Sequence, residues 1–107
     1  MVSLEGPAPE EKNRLSLAQN FPNPFSGSTS ITYALSEKSR VRLEVLNGLG
    51  QIVAVLENQE RPAGEYTLAW DGRNSQGTLL PDGAYFYRLA AGEREAVTRR
   101  MLLMRGR

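Results

Sequence analysis

The sequence predicts an all-β fold built from short antiparallel strands. Apolar residues alternate with polar ones, as at Val41, Leu43 and Val45, and this period of two is typical of a strand with one buried face. Glycine, proline, asparagine and aspartate interrupt the pattern at short intervals, so no stretch favours a long helix. The 107 residues have room for one domain, and we expect an immunoglobulin-like antiparallel β-sandwich of about seven strands.

The predicted strands follow one another along most of the chain. They lie at residues 15–17, 31–35, 41–45, 51–56, 66–70, 84–91 and 96–104, with a short piece at 78–80. Glycines in the turn 47–50 can adopt positive φ, so the flanking strands should form a hairpin. A second hairpin should turn at 91–94. Tyr66, Leu68 and Trp70 share one face, which should point into the core.

Residues 1–14 are predicted to form a flexible linker ahead of a single domain at 15–107. They are charged, contain prolines and lack apolar periodicity. The start of the chain has neither the basic region nor the apolar core of a signal peptide. The chain is therefore cytosolic or a fragment of a longer exported protein, and we favour the fragment.

Two prolines dominate residues 20–25, Asn-Phe-Pro-Asn-Pro-Phe. Pro22 and Pro24 exclude a helix and remove two backbone donors, so the segment must run extended or turn. Phe21 and Phe25 flank the prolines, and each aromatic ring is expected to fill a pocket in the core or at a sheet edge. We therefore expect this proline segment to clip onto the edge of a sheet.

The composition argues against catalysis. Without cysteine or histidine the chain lacks disulfides, thiolate nucleophiles, the usual zinc ligands and the commonest general base. Two of the acidic residues Glu65, Asp71 and Asp82 would have to act together as a hydrolytic carboxylate pair. No residue beside them in the sequence would raise a carboxyl pKa or bind a sugar, so such a pair is not indicated. We expect no enzymatic activity, no cofactor and no metal site. A formal charge of +1 does not favour nucleic acid, and no apolar run is long enough to span a membrane.

The polar loop 71–77 combines aspartate, asparagine and glycine, a composition that suggests calcium. The spacing of an EF-hand is absent, because Arg73 and Ser75 stand where aspartate or asparagine is needed. An Asx-type turn is the favoured interpretation.

Several segments, taken in their order along the chain, resemble type A C-terminal sorting domains of the type IX secretion system. The resemblance lies in residues 17–25 and 28–35, in the hairpin 45–53, in the Pro-x-Gly turn 62–64, in the Gly-x-Tyr strand 83–89 and in the last strand 99–105. Arg105 stands where the family usually has a terminal lysine. The resemblance spans about residues 15–105, which is nearly all of the predicted domain.

This resemblance implies a function in export. Such domains are non-catalytic signals at the C-terminus of exported proteins of Bacteroidota, and they target a covalently fused N-terminal cargo to an outer-membrane translocon. A sortase-like peptidase commonly removes the domain and attaches the cargo to the cell surface. Cleavage would fall in the linker ahead of Leu15, and the cargo would reach the surface or the medium through the periplasm and outer membrane.

The resemblance also implies a set of recognition residues. They are Asn20, Phe21, Pro22, Asn23, Pro24, Phe25, Pro62, Gly64, Gly83, Tyr85, Leu89, Arg99, Arg100 and Arg105. From the residues alone, a structural role is favoured for the proline segment and the strand 83–89. We expect Gly83 to supply a backbone conformation that alanine could not adopt, and buried tyrosines need hydroxyl partners. The terminal arginines could be solvated or could dock an acidic translocon component.

A second resemblance leaves an alternative open. Residues 70–74, together with Gly77 and 81–83, are similar to the Ig-like domain of the flagellar hook-capping protein. The alternative is therefore a structural Ig-like assembly or spacer module, either of the flagellar hook-cap type or an accessory domain of a surface enzyme. A carbohydrate-binding sandwich is disfavoured, because the one tryptophan, Trp70, is predicted to point inward.

Overall fold

The alternating segments form seven antiparallel strands. The computed structural model describes residues 15–92 and 95–106, so the predicted linker 1–14, Glu93 and Arg94 of the predicted turn, and Arg107 lie outside the described residues. The strands are β1 (Leu15–Leu17), β2 (Thr29–Leu35), β3 (Ser39–Leu46), β4 (Ile52–Arg61), β5 (Gly64–Trp70), β6 (Gly83–Ala91) and β7 (Glu95–Leu103).

The strands are divided between two sheets. One sheet has the order β1-β2-β5 and the other has the order β4-β3-β6-β7. Both predicted hairpins are present, because β3 pairs with β4 and β6 pairs with β7. The predicted immunoglobulin-like β-sandwich is confirmed. The part of the chain that the structure describes contains no helix long and apolar enough to cross a membrane.

The fourth strand is longer than its sequence pattern predicts. β4 continues through the polar residues 57–61, which pair with the start of β3 from Ser39 to Leu43. These residues lack apolar alternation because most of them face solvent at a sheet edge. The predicted short strand at 78–80 is reduced to an isolated bridge between Arg73 and Leu79.

The inward faces of both sheets form one hydrophobic core. Its buried members are Leu15, Leu17, Phe25, Ile31, Tyr33, Leu35, Val41, Leu43, Val45, Ala54, Trp70, Tyr85, Tyr87, Leu89, Met101 and Leu103. Trp70 is 3% exposed, so its predicted inward orientation is confirmed. Its ring centroid lies 5.7 Å from that of Phe25 and 5.9 Å from that of Tyr85, and the three rings close one end of the core.

The other end of the core contains a buried charge. The carboxylate of Glu57 accepts hydrogen bonds from the Tyr33 hydroxyl at 3.1 Å, from Gln59 at 2.6 Å and from Arg61 at 2.8 Å. Burial alone would raise the pKa of Glu57, but these hydrogen bonds outweigh it and hold the pKa below its ordinary value. Burial, followed by the nearby Glu57 charge, raises the pKa of Tyr33 to about 12.

We expect Trp70→Ala to lower the free energy of unfolding by about 3–5 kcal/mol, because it removes a large side chain from a packed core. Leu79→Ala is the control: Leu79 is 49% exposed, and its loss should stay below about 1 kcal/mol. Urea denaturation measures both values. A small loss at Trp70 would mean that the ring is accessible and would revive the carbohydrate-binding interpretation.

We also expect stability to fall as the pH is lowered below about 4.5, the ordinary pKa of a glutamate. The depressed pKa of Glu57 contributes stability that is fully present above this value and is lost as the pH falls through the folded-state pKa. Glu57→Gln should be less stable at neutral pH and should lose less on acidification. Denaturation across a pH series, with Glu65→Gln as the exposed control, tests this. An unchanged acid dependence in Glu57→Gln would contradict it.

Candidate functional site

The proline segment joins the two sheets. At one end, Phe21 and Ser30 of β2 exchange backbone hydrogen bonds of 3.1 and 2.8 Å. At the other end, the Phe25 N–H donates to the Leu102 carbonyl at 3.0 Å, and the Met104 N–H donates to the Phe25 carbonyl at 2.9 Å. The prediction that this segment clips onto a sheet edge is confirmed, with one contact on each sheet. The Phe21–Pro22 and Asn23–Pro24 peptide bonds are cis.

Asn20 is the centre of the hydrogen bonds that hold the segment. It is 2% exposed, and its Nδ2 donates to Thr29 Oγ1 at 2.9 Å and to the Pro22 carbonyl at 3.2 Å. Its Oδ1 accepts from Gln19 Nε2 at 2.8 Å, and its N–H donates to the Tyr87 hydroxyl at 2.8 Å. Because a buried amide is costly to leave unpaired, these contacts fix the backbone just before the prolines.

The Tyr87 hydroxyl connects the segment to the core of the other sheet. It accepts from the Asn20 N–H and donates to the Ala18 carbonyl at 2.8 Å. Burial raises the pKa of Tyr87, while the Asn20 hydrogen bond and the charge of Arg99 oppose that rise. The hydroxyl therefore stays protonated and can serve two backbone groups at once.

The two phenylalanines of the segment have opposite environments. Phe25 is 2% exposed and packs in the core, as predicted. Phe21 is 78% exposed, so the expectation that both rings fill pockets is wrong for Phe21. The reason is geometric: the backbone of Phe21 pairs with Ser30 at a sheet edge, and its side chain projects away from the core.

The last strand runs beside the proline segment. Gln19 Nε2 donates to the Arg100 carbonyl at 2.7 Å, and Asn23 Oδ1 accepts from the Leu102 N–H at 2.9 Å. Arg99 Nε donates to the Leu17 carbonyl, which ties β7 to β1. Residues 19–25 and 99–104 therefore form one continuous surface, which we call the terminal surface. The side chains of Phe21 and Arg100 are exposed on it.

Arg105 anchors the chain after β7 and is not a free solvated charge. Its Nη1 donates to the Leu80 carbonyl at 2.6 Å, and its Nη2 donates to the Gly72 carbonyl at 3.3 Å. Asp82 Oδ1 accepts from the Arg105 N–H at 3.1 Å. A Cβ on Gly72 would lie 2.7 Å from Arg105 Nη2, so the guanidinium would have to shift. Gly72 also has a φ of 79°, a conformation that favours glycine.

The remaining predicted recognition residues are dispersed. Gly83 and Tyr85 lie at the same end of the sandwich as Phe25, because Gly83 pairs with Leu103 and Tyr85 contacts Trp70. Leu89 is fully buried in the core. Pro62 and Gly64 lie at the opposite end, where β5 begins. The structure thus brings the motifs from the two ends of the domain together and leaves the central turn apart.

A five-residue repeat, Pro-x-Gly-x-Tyr, escaped the sequence analysis. At 62–66 and again at 81–85, the tyrosine hydroxyl donates to the proline carbonyl four residues earlier, at 2.6 and 2.7 Å. Gly64 and Gly83 have φ of 148° and 151°, so the expectation for Gly83 is confirmed. The shared spacing of proline, glycine and tyrosine was the sequence signal that would have identified both of these turns. Gln19 and Thr29 carried no comparable signal.

The loop 71–77 contains the predicted Asx turns. Asp71 Oδ1 accepts from the Arg73 N–H at 3.2 Å, and Asn74 Oδ1 accepts from the N–H groups of Gln76 and Thr78 at 3.0 and 2.9 Å. These side-chain oxygens therefore bond to the backbone of their own loop. Among residues 15–92 and 95–106 no group of three or more acidic side chains could hold a metal ion.

The fold is that of an immunoglobulin-like β-sandwich domain. The hydrogen bonds described above connect its own strands and loops to one another. The chain belongs to the FlgD Ig-like domain family, which matches residues 20–95. The basal-body rod modification protein FlgD of Salmonella typhimurium is 44% identical over 36 residues, which are 34% of this chain and 16% of that protein. The chain therefore corresponds to a small part of this relative's length.

Solved structures show the same fold. Latent dimeric PorU from Porphyromonas gingivalis is similar with a TM-score of 0.67 and 18% identity, over 83% of this chain and 9% of that one. FlgD from Xanthomonas campestris is similar with a TM-score of 0.57 and 22% identity, over 82% and 64%. FlgD from P. aeruginosa has a TM-score of 0.56 and 20% identity, over 83% and 68%. These likenesses concern the fold alone.

We expect Tyr87→Phe to destabilise the domain by about 1–3 kcal/mol, because the Ala18 carbonyl and the Asn20 N–H would both lose a partner. Tyr66→Phe is the matched control, since its hydroxyl bonds to the Pro62 carbonyl in an exposed position and should cost less than about 1 kcal/mol. Urea denaturation of both variants gives the comparison. Equal losses would show that Tyr87 does not hold the proline segment.

Proposed function

We propose that this Ig-like domain is a non-catalytic signal that targets an attached cargo protein to the outer-membrane translocon of a type IX secretion system, for export and surface attachment or release. The observation that carries the proposal is the terminal surface. Motifs that are far apart in sequence, residues 20–25 and 99–104, lie side by side and share hydrogen bonds through Asn23 and Leu102. A partner that binds this surface would contact both motifs at once.

The terminal surface has the properties of a preorganised binding site. The backbone of Phe21 is held by two hydrogen bonds to Ser30, yet its ring is 78% exposed. Because the backbone of Phe21 is already ordered, binding would cost little backbone entropy, and the exposed ring could insert into a pocket of a partner. Arg100 adds a positive charge that would favour an acidic component of the translocon.

The proposed partners follow from this function. The translocon would bind the folded domain, and a sortase-like peptidase would cleave ahead of Leu15, releasing the N-terminal cargo to the cell surface or the medium. The domain would act through its folded surface alone, which agrees with the absence of cysteine and histidine from the sequence.

The second candidate is a structural assembly module of the hook-capping type. The family match over residues 20–95 favours it more directly than it favours the sorting signal. FlgD from Xanthomonas campestris is connected with hook capping, which is essential for flagellar assembly. In that role the sandwich would serve as a spacer within a larger assembly, and the exposed Phe21 ring would have no part in export.

The test is export of a reporter. A signal peptide and a fluorescent protein are fused ahead of the 107-residue chain and expressed in a bacterium with a type IX system. Deleting residues 96–107 is a poor test, because it removes most of β7, including the fully buried Met101 and Leu103. Phe21→Ala and Arg100→Ala alter exposed side chains of the terminal surface, and Leu79→Ala is an exposed control outside that surface.

We expect the unaltered chain and Leu79→Ala to appear outside the cell, and Phe21→Ala to remain in the periplasm. Losing a hot-spot aromatic weakens binding by about 30-fold or more, whereas an exposed ring contributes within about 0.5 kcal/mol to folding. Thermal denaturation should therefore show the same stability for all three. Retention of the unaltered chain in the periplasm would favour the assembly module. Export of Phe21→Ala at the level of the unaltered chain would show that the translocon does not recognise the Phe21 side chain.

A further inference from the structure

Two of the four sheet edges face each other and are closed by the fold. β1 is three residues long, and the Leu17 carbonyl accepts from Arg99. The edge of β7 is occupied near its end by the proline segment, through Phe25 and Asn23. Short strands and covering segments are the usual protection of an edge against pairing with another chain. This side of the sandwich is therefore unavailable to a further strand.

The edge of β4 is partly protected. Its register with β3 shifts at two places, between Leu43 and Glu44 and between Val45 and Leu46. The loop after β5 covers its first half, because the Ser75 N–H donates to the Val53 carbonyl at 3.2 Å and the Val55 N–H donates to Ser75 Oγ at 3.3 Å. Its second half carries the polar residues 57–61, of which Glu57, Glu60 and Arg61 are charged. Irregular register and charge both oppose pairing.

The edge of β5 lacks these protections. Gly64–Trp70 pairs with β2 over seven consecutive residues without a register shift. Within residues 15–92 and 95–106, no strand pairs with its other edge. The strand has no proline and carries one charged residue, Glu65. Tyr66 and Leu68 on its inner face are half-buried. The Arg61 guanidinium lies 4.7 Å from the centre of the Tyr66 ring, and the exposed part of Leu68 leaves apolar surface at this edge.

We propose that the β5 edges of two copies of this chain pair in antiparallel fashion about a two-fold axis at Thr67. In this register Glu65 lies opposite Ala69 of the other copy, and Tyr66 lies opposite Leu68. No like charges meet, and the half-buried apolar side chains cover one another, as an isologous interface requires. A six-stranded sheet results, with the two β5 strands at its centre.

The pairing of β5 with β2 shows that Thr67, on the exposed face of the sheet, can lie opposite another threonine. Thr32 of β2 lies directly opposite Thr67, and their Oγ atoms are 2.8 Å apart on the exposed face. At the two-fold axis Thr67 would meet Thr67 of the other copy in the same kind of pair. The terminal surface lies on the β1 and β7 side, away from β5, so dimerisation is independent of the proposed export function.

Charged substitutions of Thr67, the residue at the proposed two-fold axis, test the dimer. Sedimentation velocity of the 107-residue chain over a range of concentrations should show a monomer–dimer equilibrium. Thr67→Lys and Thr67→Glu each place like charges opposite each other and should weaken the dimer by about tenfold or more, while an equimolar mixture should restore it. Thr98→Lys, an exposed threonine of β7, should leave the wild-type equilibrium unchanged.

A cysteine at the axis gives a second, independent measurement. The chain has no cysteine, so Thr67→Cys introduces a single thiol that should form an intermolecular disulfide under mild oxidation. Thr98→Cys is the control and should crosslink at least about tenfold more slowly if the β5 edge forms the interface. A wild-type chain that stays monomeric at millimolar concentration, or equal crosslinking at both positions, would overturn the proposal.

Discussion

The domain depends on the way the proline segment joins its two sheets. The Asn20 side chain donates to Thr29 of one sheet, and its backbone N–H donates to the Tyr87 hydroxyl of the other sheet. Phe25 packs its ring against Trp70 in the core. These contacts bind the two sheets to each other on this side of the sandwich. The segment also covers the edge of β7. A short stretch of extended chain thereby closes one side of the sandwich.

The two phenylalanines of the proline segment have different roles: one stabilises the core and the other is exposed to solvent. Phe25 contributes its ring to the core, whereas Phe21 contributes only backbone hydrogen bonds and leaves its ring outside. A rigid backbone that presents an exposed aromatic is suited to binding, because little freedom remains to be lost. The terminal surface therefore joins the two sheets and also presents an exposed aromatic side chain, and substitutions at Phe25 and Phe21 alter these two features separately.

Membership of the FlgD Ig-like family explains the fold of this domain. Its function depends on the residues that are exposed on its surface. Solved relatives share the sandwich at identities of 18% to 22%. The same core can serve unrelated functions, because function lies in the residues that face outward. Two outward features of residues 15–92 and 95–106 are the exposed Phe21 and the edge of β5, with which no described strand pairs. They lie on opposite sides, which would allow two separate interactions.

The sequence by itself determined the fold class, most of the strands, both hairpins, the inward Trp70 and the Asx turns, because each follows from local periodicity or turn chemistry. Only the tertiary structure decided the exposure of Phe21, the burial of Glu57 and the anchoring of Arg105. Periodicity shows which residues share a face of a strand. It does not show which partner covers that face, since those partners, such as Tyr33 for Glu57, are distant in sequence.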